Sequence, residues 1–463
     1  MHIHWFRRDL RLTDNTALHA ALQGGADVVP VFILSQWQKT HRWTGLARQQ
    51  FLCGCLASLA QAIQELGGRL IVRQGDAVEE LRKLVRETKA TAIYTNRDPD
   101  PFGRATEEAV EKMAGSEGCE LVRCQDIAIH ERDEVRTGTG GVFRVFTPYS
   151  RAWRKLEKPQ LLPKLVGMRT PEGVSSLPLP TVATWGLSGE VDTVQPGEKA
   201  ARERMKQFLN GRIFRYDATR NLPAIAGGSR LSQDLRWGLL SPREVYLRSA
   251  EAAAKGDSAE RKSGETFINE LIWREFYLQV LWHNPRVLEE DYSPKFRNVQ
   301  WRTDEEAFRR WCEGRTGFPI VDAAMRQMLA TGYMHNRLRM ISAMFLTKDL
   351  HIDWRLGESW FMRHLIDGEI ASNNGGWQWS AGTGADAAPY FRIQNPWTQT
   401  TRFDPEGKFI QMWVPELAGV SPRKFMMPPK DGLPIAAGYS APMVDHATER
   451  EVTLRLFREG MSA

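Results

Sequence analysis

The pattern that most constrains this chain is a set of five short apolar runs in its first 130 residues: HIHWF (2–6), VVPVFIL (28–34), RLIVRQG (69–75), TAIYTN (91–96) and ELVRC (120–124). Amphipathic stretches lie between them, among them ARQQFLCGCLASLAQAIQEL and DAVEELRKLVRET, the latter opened by Asp76 as an N-cap. Strand, helix, strand in this rhythm predicts a parallel sheet with helices on both faces, whose ligands sit at the carboxyl ends of the strands. No GxGxxG or P-loop motif follows any of the runs, so neither a dinucleotide nor a P-loop nucleotide site is expected there.

From about Gly138 to Gly197 the alternation stops and Pro recurs with little periodicity. A long interdomain connection is expected, helical only around TPYSRAWRKL. From Glu198 onward the periodicity is helical, with segments near 198–210, 241–255, 265–283, 304–313, 319–331, 335–348 and 357–366. The predicted fold class is α/β plus all-α: an N-terminal parallel-sheet, Rossmann-like domain over 1–130, a linker over 131–197 and a C-terminal helical domain over 198–463. A chain of 463 residues is long enough for two or three cores.

No run approaches the roughly 18 apolar residues of a membrane span. MHIHWFRRDLRL lacks the apolar core of a secretory signal, so a cytoplasmic location is expected. The five Cys form no CxxC pair and the ten His no HExxH spacing, which predicts reduced thiols and no metal site. Residues 1–129 carry 16 Lys and Arg against 16 Asp and Glu, so the net charge of +6 lies wholly in residues 130–463. A polyanionic partner would bind there, although a slightly basic solvated surface accounts for the same numbers.

Four groups in the helical half depart from what packing alone would select. YDATRNLPAIAGGSRLS (216–232) ends in small hydroxyl residues before a helix, which suits a phosphate and equally suits a plain loop with its cap. In NELIWREFY (269–277), Glu270, Trp273, Arg274 and Tyr277 share one helix face. The pattern fits a surface ion pair beside a core Trp, or a platform for a nucleobase. GYMHNRLRM (332–340) sets Asn336, Arg337, Arg339 and Met340 on the first turns of a helix. Arg opposes the macrodipole there, which calls for an acidic partner, a carboxylate or a phosphate. DGEIASNNGGWQWSAGTGADAAPYFRIQNP (367–396) has two acids, an Asn pair, a Gly pair and two Trp in its first thirteen residues. With few aliphatic side chains to bury, it is expected to form the wall of a ligand pocket. Eleven of the sixteen Trp fall between Trp237 and Trp413.

Taken together, WFRRDLRLTDN (5–15), NELIWREFY, TGFPIVDAAMRQM (316–328), MHNRLRM (334–340) and the 367–396 stretch resemble the photolyase/cryptochrome family over nearly the whole chain. The resemblance implies an α/β antenna domain, a long linker and a helical domain that holds one FAD. It implies that Tyr216, Ser229, Arg230, Leu231 and Ser232 line the FAD phosphates and ribityl chain. Asn336, Arg339, Asp367, Glu369 and Asn373 would complete the cofactor site, with Arg339 paired to Asp367 and Asn373 facing flavin N5. Trp377, Trp354 and Trp301 match the family's electron-transfer chain. Glu270, Trp273, Asn336, Met340 and Trp379 match the residues that receive a cyclobutane pyrimidine dimer, with Glu270, Asn336 and Asn373 taking part in the chemistry. The implied activity is blue-light-driven repair of UV-damaged DNA by electron donation from excited FADH⁻, carried out by a monomer without metal or membrane.

NRDPDPFGR (96–104) also resembles the family and implies a second, antenna chromophore of the methenyltetrahydrofolate, deazaflavin or flavin class. Gly228 stands where Thr is common in the family, Tyr333 where Trp is common and Glu369 where Asp is common. Two other activities occur in the family. Repair of (6-4) photoproducts usually goes with His at the positions of Asn336 and Met340, and photosensory cryptochromes often carry a long C-terminal extension. Neither Asn336 nor Met340 is His, and the sequence runs 50 residues past Trp413 and keeps Glu270, Trp273 and Trp379, so cyclobutane-dimer repair is the expected function.

Overall fold

The computed structural model describes residues 1–36 and 39–462. All five apolar runs are strands: β1 (His2–Phe6), β2 (Val28–Leu34), β3 (Ile71–Gln74), β4 (Ala92–Asn96) and β5 (Glu120–Cys124). They form one parallel sheet in the order β3-β2-β1-β4-β5. Ile3 on β1 sits in register with Val29 on β2 and Ile93 on β4, and all three are fully buried. The β2–β3 ladder begins at Val31, so Pro30, with no N–H to give, stands just outside it. Asp76 caps the helix Ala77–Thr88 by accepting from Val78 N and Glu79 N, as its place in the sequence predicts.

The connection after the sheet is helical over Phe146–Lys155. Further along it follows the exposed side of β3. Leu177 N donates to Val72 O (2.9 Å) and Val72 N donates to Ser176 Oγ (2.9 Å), which satisfies an otherwise open strand edge. The WFRRDLRLTDN segment has a structural task. Arg11 donates to both carboxylate oxygens of Asp126 at 2.7 Å, while Arg243 donates to Asp14 Oδ2 (3.0 Å) and Asp126 Oδ1 (2.9 Å). Burial alone would raise the Asp126 carboxyl, but the two guanidinium groups outweigh it and hold it below the usual range. The network clips the sheet to the helix Pro242–Lys255.

The chain folds as two compact units. One contains residues Met1–Glu190, Val194–Phe214 and Ser229–Pro285; the other contains Val191–Thr193, Arg215–Gly228 and Arg286–Ala463. This division follows packing, whereas 1–130, 131–197 and 198–463 follows sequence pattern. The helices match the expected segments closely, as Glu198–Leu209, Pro242–Lys255, Ser258–His283, Glu305–Cys312, Pro319–Thr331, Asn336–Met344 and Trp354–His364. The third starts seven residues before 265, where Asp257 and Glu260 form a capping box. The sixth stops at Met344 and continues as a π-turn over Phe345–Asp349.

The largest departure is Ile370–Ala381, a twelve-residue helix inside the stretch read only as a pocket wall. Polar side chains anchor it where aliphatic ones would normally do so. Asn374 Nδ2 and Gln378 Nε2 both donate to Val287 O at 2.9 Å, and Gln378 Oε1 accepts from Tyr292 N at 2.8 Å. An apolar period therefore has nothing to register.

Two fully enclosed histidines give the fold a pH limit. Burial lowers His4 and His351 to about 4, against some pull upward on His4 from Asp9. In the unfolded chain both would titrate near the ordinary value of about 6.5. Between those values the unfolded chain binds more protons, so stability rises with pH across the window and is lost on acidification through it. The urea midpoint is expected to fall steadily from pH 6.5 to about 4.5, with up to about 3 kcal/mol attributable to the fully buried His4.

Candidate active site

The predicted site residues occur in both units, and each group is a local construction of its own. In the second unit, the helix Asn336–Met344 packs against Ile370–Ala381. The acid that Arg339 requires is Asp367: Arg339 Nη2 donates to Asp367 Oδ2 at 2.8 Å, and Arg339 Nε donates to Met334 O at 2.9 Å. The guanidinium also lies 5.8 Å over the Tyr333 ring, which occupies the position where Trp is common. Asp367 is 7% exposed, and its second oxygen, Oδ1, is buried without a hydrogen-bond partner.

Asp367 and Glu369 both precede the helix Ile370–Ala381, where negative charge complements its dipole. Glu369 is the N-cap residue, 5% exposed; its carbonyl accepts from Asn373 N (2.8 Å) and its carboxylate from Ser372 Oγ (3.0 Å). The Asn pair divides its labour. Asn374 anchors the helix, while Asn373 Nδ2 donates to Glu358 O at 3.0 Å, which leaves Asn373 Oδ1 as the atom able to accept a further donor.

At about 3.6 residues per turn, Asn373 and Trp377 fall on one side of this helix and Trp379 on nearly the opposite one. Trp377 is 2% exposed, and Trp379 is half-buried. Beside Trp379 the helix surface is bare, since a Cβ added at Gly376 would meet nothing within 4 Å. Trp377 packs into the helix Trp354–His364 at Gly357, where an added Cβ would lie 2.1 Å from Trp377 Cη2. Its ring meets Phe361 (centroids 4.9 Å) and Trp311 (6.0 Å) edge-on.

Trp354 opens that same helix and is 1% exposed, with Nε1 donating to Asp291 Oδ1 at 2.8 Å. The Trp301 segment reaches it through the bridge between Arg302 and Ile352, in which Arg302 N donates to His351 O at 2.7 Å. Trp301 is partly buried and edge-on to Phe457. Trp377 and Trp354 are thus both buried, and Trp301 is the one of the three that reaches towards solvent. Asn336 is exposed at the first turn of its helix, and Met340 is half-buried with Arg337 Nη1 3.4 Å from its sulfur. Arg337 also donates to Asn221 Oδ1 (2.8 and 3.2 Å), tying this helix to the loop that follows the half-buried Tyr216.

In the first unit, Ser229 Oγ accepts from Leu231 N (3.4 Å), and Ser232 is exposed at the start of a short helix. Leu231 is 1% exposed, so it offers only its backbone to a ligand. Arg230 has a left-handed backbone (φ 59°), uncommon for a residue other than glycine. Arg212, which sequence reasoning missed, stands close to it: burial and then the Arg230 charge lower the Arg212 guanidinium. Two cations beside hydroxyl groups suit an anion. Gly228 has open space where a side chain would go, so packing does not require the missing Thr.

Glu270 and Trp273 are half-buried on the helix Ser258–His283. Arg274 donates to Ile127 O at 2.7 Å. Trp273 is stacked flat on Phe146, with centroids 3.7 Å apart and an interplanar angle of 4°. The NRDPDPFGR segment helps line a cavity of about 430 Å³ in this unit, together with Arg132, His130 and Trp282. The guanidinium groups of Arg104 and Arg132 lie 3.9 and 3.5 Å from the Trp282 ring centroid.

Two buried charges near the Trp series were also missed. Asp291 sits in an acidic run with no evident motif. Lys348, 0% exposed, interrupts the apolar stretch AMFLTKDLHI, and that interruption was a readable signal.

Comparison with known proteins adds to this geometry. The family model described as DNA photolyase matches residues 2–166, and the one described as FAD binding domain of DNA photolyase matches residues 267–459. A deoxyribodipyrimidine photo-lyase of Synechococcus is 38% identical, covering 98% of this chain and 96% of that protein. Among solved structures, a class III photolyase from Agrobacterium tumefaciens superposes with a TM-score of 0.92 at 36% identity, over 100% of this chain and 98% of that one. An archaeal photolyase from Sulfolobus tokodaii, solved with two FAD molecules, reaches a TM-score of 0.86 at 31% identity, covering 99% of each chain.

Proposed function

This chain belongs to the DNA photolyase family, and we propose that it splits cyclobutane pyrimidine dimers in UV-damaged DNA in a blue-light-driven reaction with no net redox change. The observation that carries the reading is the helix Ile370–Ala381, which has Asn373 and the buried Trp377 on one side and the half-buried Trp379 beside bare backbone on the other. One element thereby serves cofactor, electron supply and lesion.

The residues present fit a flavin. The unpartnered Asp367 Oδ1 and the Asn373 Oδ1 are acceptors for ring N–H groups, and Asn373 would hold a proton at flavin N5. Arg339, itself fixed by Met334 O, holds Asp367 in place. Ser229, Arg230, Ser232 and the Leu231 backbone take the phosphates and ribityl chain together with Tyr216. When bound and reduced, FAD supplies the electron that light promotes onto the dimer and takes it back once the ring has opened.

Trp273, held flat by Phe146, and Trp379 each offer a ring on which a base can stack, worth about 1–3 kcal/mol per base. Glu270 and Asn336 face the pyrimidine edges, where a hydrogen bond strengthens as negative charge grows on a carbonyl. Met340 is assigned to the same substrate group. The residues of the series Trp377, Trp354 and Trp301 pass electrons inward from solvent. A light-harvesting second chromophore of the methenyltetrahydrofolate, deazaflavin or flavin class belongs to this reading, as the archaeal relative with two FAD molecules illustrates. The cavity at Trp282 is its place. We take the organisation to be antenna domain 1–130, linker 131–197 and catalytic domain 198–463, acting as a monomer without metal in the cytoplasm. Among the described residues no helix is long and apolar enough to cross a membrane.

The test uses photoreduced protein and an oligothymidylate carrying cyclobutane dimers, with thymine absorbance followed under blue light. Absorbance is expected to recover in the light only. No recovery by protein that retains FAD would overturn repair, and recovery in the dark would overturn the photochemistry. Glu270→Ala is expected to slow recovery while the bound flavin spectrum stays unchanged. DNA affinity should fall as salt rises, because Lys and Arg displace counterions from the phosphates.

A further inference from the structure

Trp354 has one polar atom, Nε1, and gives it to Asp291 Oδ1 at 2.8 Å. Asp291 is 2% exposed and Trp354 1% exposed, so the contact is shut off from water. A buried carboxylate is costly unless it is paired and hydrogen-bonded, and the side chains that hydrogen-bond this one, Trp354 and Thr383, are both neutral. A second buried charge, Lys348, interacts electrostatically with Asp291; it is 0% exposed, donates to Ala381 O at 2.6 Å and lies 3.5 Å from the Phe457 ring centroid. On the solvent side, Arg355 covers the Trp354 ring at 4.6 Å and is paired with Asp353 at 3.1 Å. Burial pushes the Asp291 carboxyl up and the Trp354 N–H draws it back; burial pushes Lys348 well below its ordinary value and Asp291 opposes that.

Trp377 differs in the respect that matters. Its Nε1 is buried with no acceptor. An indole that has lost an electron is a far stronger acid than indole itself. On Trp377 such a proton has nowhere to go; on Trp354 a base is already hydrogen-bonded to it.

We propose that Asp291 is the proton acceptor of Trp354 during electron supply. When Trp354 gives one electron to oxidised Trp377, its N–H bond breaks and the proton forms an O–H bond on Asp291 Oδ1. When Trp301 then gives one electron to Trp354, the proton returns and both groups are restored. The oxidant at the inner end is the light-excited flavin, and the reductant at the outer end is a solvent thiol. Proton loss lowers the driving force for the electron to go back from Trp377 to Trp354, so Asp291 makes the inward transfer last. The inference rests on the electron-supply reading of the three Trp residues.

Asp291→Asn keeps the shape and the acceptor but cannot take the proton. With flavin content matched by visible spectrum, transient absorption after a blue flash should show the Trp354 cation persisting in place of the neutral radical. Flavin bleaching in the presence of thiol should slow about tenfold, the size of a change of about 1.4 kcal/mol in a barrier. Asp291→Glu should restore the neutral radical. Wild-type radical spectra and bleaching in Asp291→Asn would overturn the proposal. Wild-type protein supplies a measurement independent of any variant's folding: conversion of the cation to the neutral radical should slow about twofold or more in D₂O, as expected when proton transfer limits the step. Absence of that slowing would also overturn it. Trp354→Phe separates the two levels: if it bleaches like wild type, the Trp series itself fails; if it is blocked while Asp291→Asn is normal, only the role of Asp291 fails.

Discussion

Asp367→Ala should yield a chain that purifies without flavin. The substitution removes the oxygen paired to Arg339 and the buried, unpartnered Oδ1 together. It also leaves the Arg339 guanidinium without its carboxylate, and breaking one side of a buried pair costs about 3–5 kcal/mol. The Arg339 side chain keeps 26% of its exposure, so the lower end, about 3 kcal/mol, is the expected loss. Two measurements check this: visible absorbance of the purified protein, and the denaturant midpoint of wild type and variant after flavin removal. Asp367→Asn, which retains an acceptor at the same place, should lose less of both. A wild-type flavin content in Asp367→Ala would move the cofactor away from this carboxylate.

The second large effect is expected at a glycine. Gly357→Ala would put a methyl group 2.1 Å from Trp377 Cη2, 2.5 Å from Cζ3 and 2.7 Å from Leu346 Cδ2, inside a core whose parts cannot all yield. Overpacking of this kind costs about 1–3 kcal/mol, and the ring has to tilt or leave. Flavin bleaching under blue light should slow sharply, while flavin retention, which depends on Arg339 and Asp367, should survive. Adding Trp377→Phe removes the colliding benzo ring. The double variant should therefore regain stability relative to Gly357→Ala and still fail to bleach. That non-additive pair of readouts separates a packing fault from a broken electron route.

Much of this could be read from residues alone, and the reason differs from place to place. The central strands were legible because a sheet buried on both faces demands continuous apolar runs. That Arg339 needs an acidic partner was legible from its place in the first turn of a helix, the family resemblance pointed to Asp367, and the acid is at 2.8 Å. The helix Ile370–Ala381 was not, since Asn374 and Gln378 anchor it through amides and leave no apolar stripe. Gly357 gave no sign either: in sequence it is one glycine within WRLGESW, and only the neighbouring helix makes it indispensable. Asp291 and Phe146 act on Trp354 and Trp273 across gaps of 63 and more than a hundred positions, beyond the reach of any local pattern.

The segment that runs along β3 bears on how the protein can be handled. Because Leu177 and Ser176 satisfy the backbone of Val72, the first 130 residues are not a self-sufficient module. Expressed alone, they would present a bare strand to their neighbours and stack into aggregates. A protease cut between the sheet and residue 176 should leave the two pieces held together, whereas removing the segment should not be tolerated.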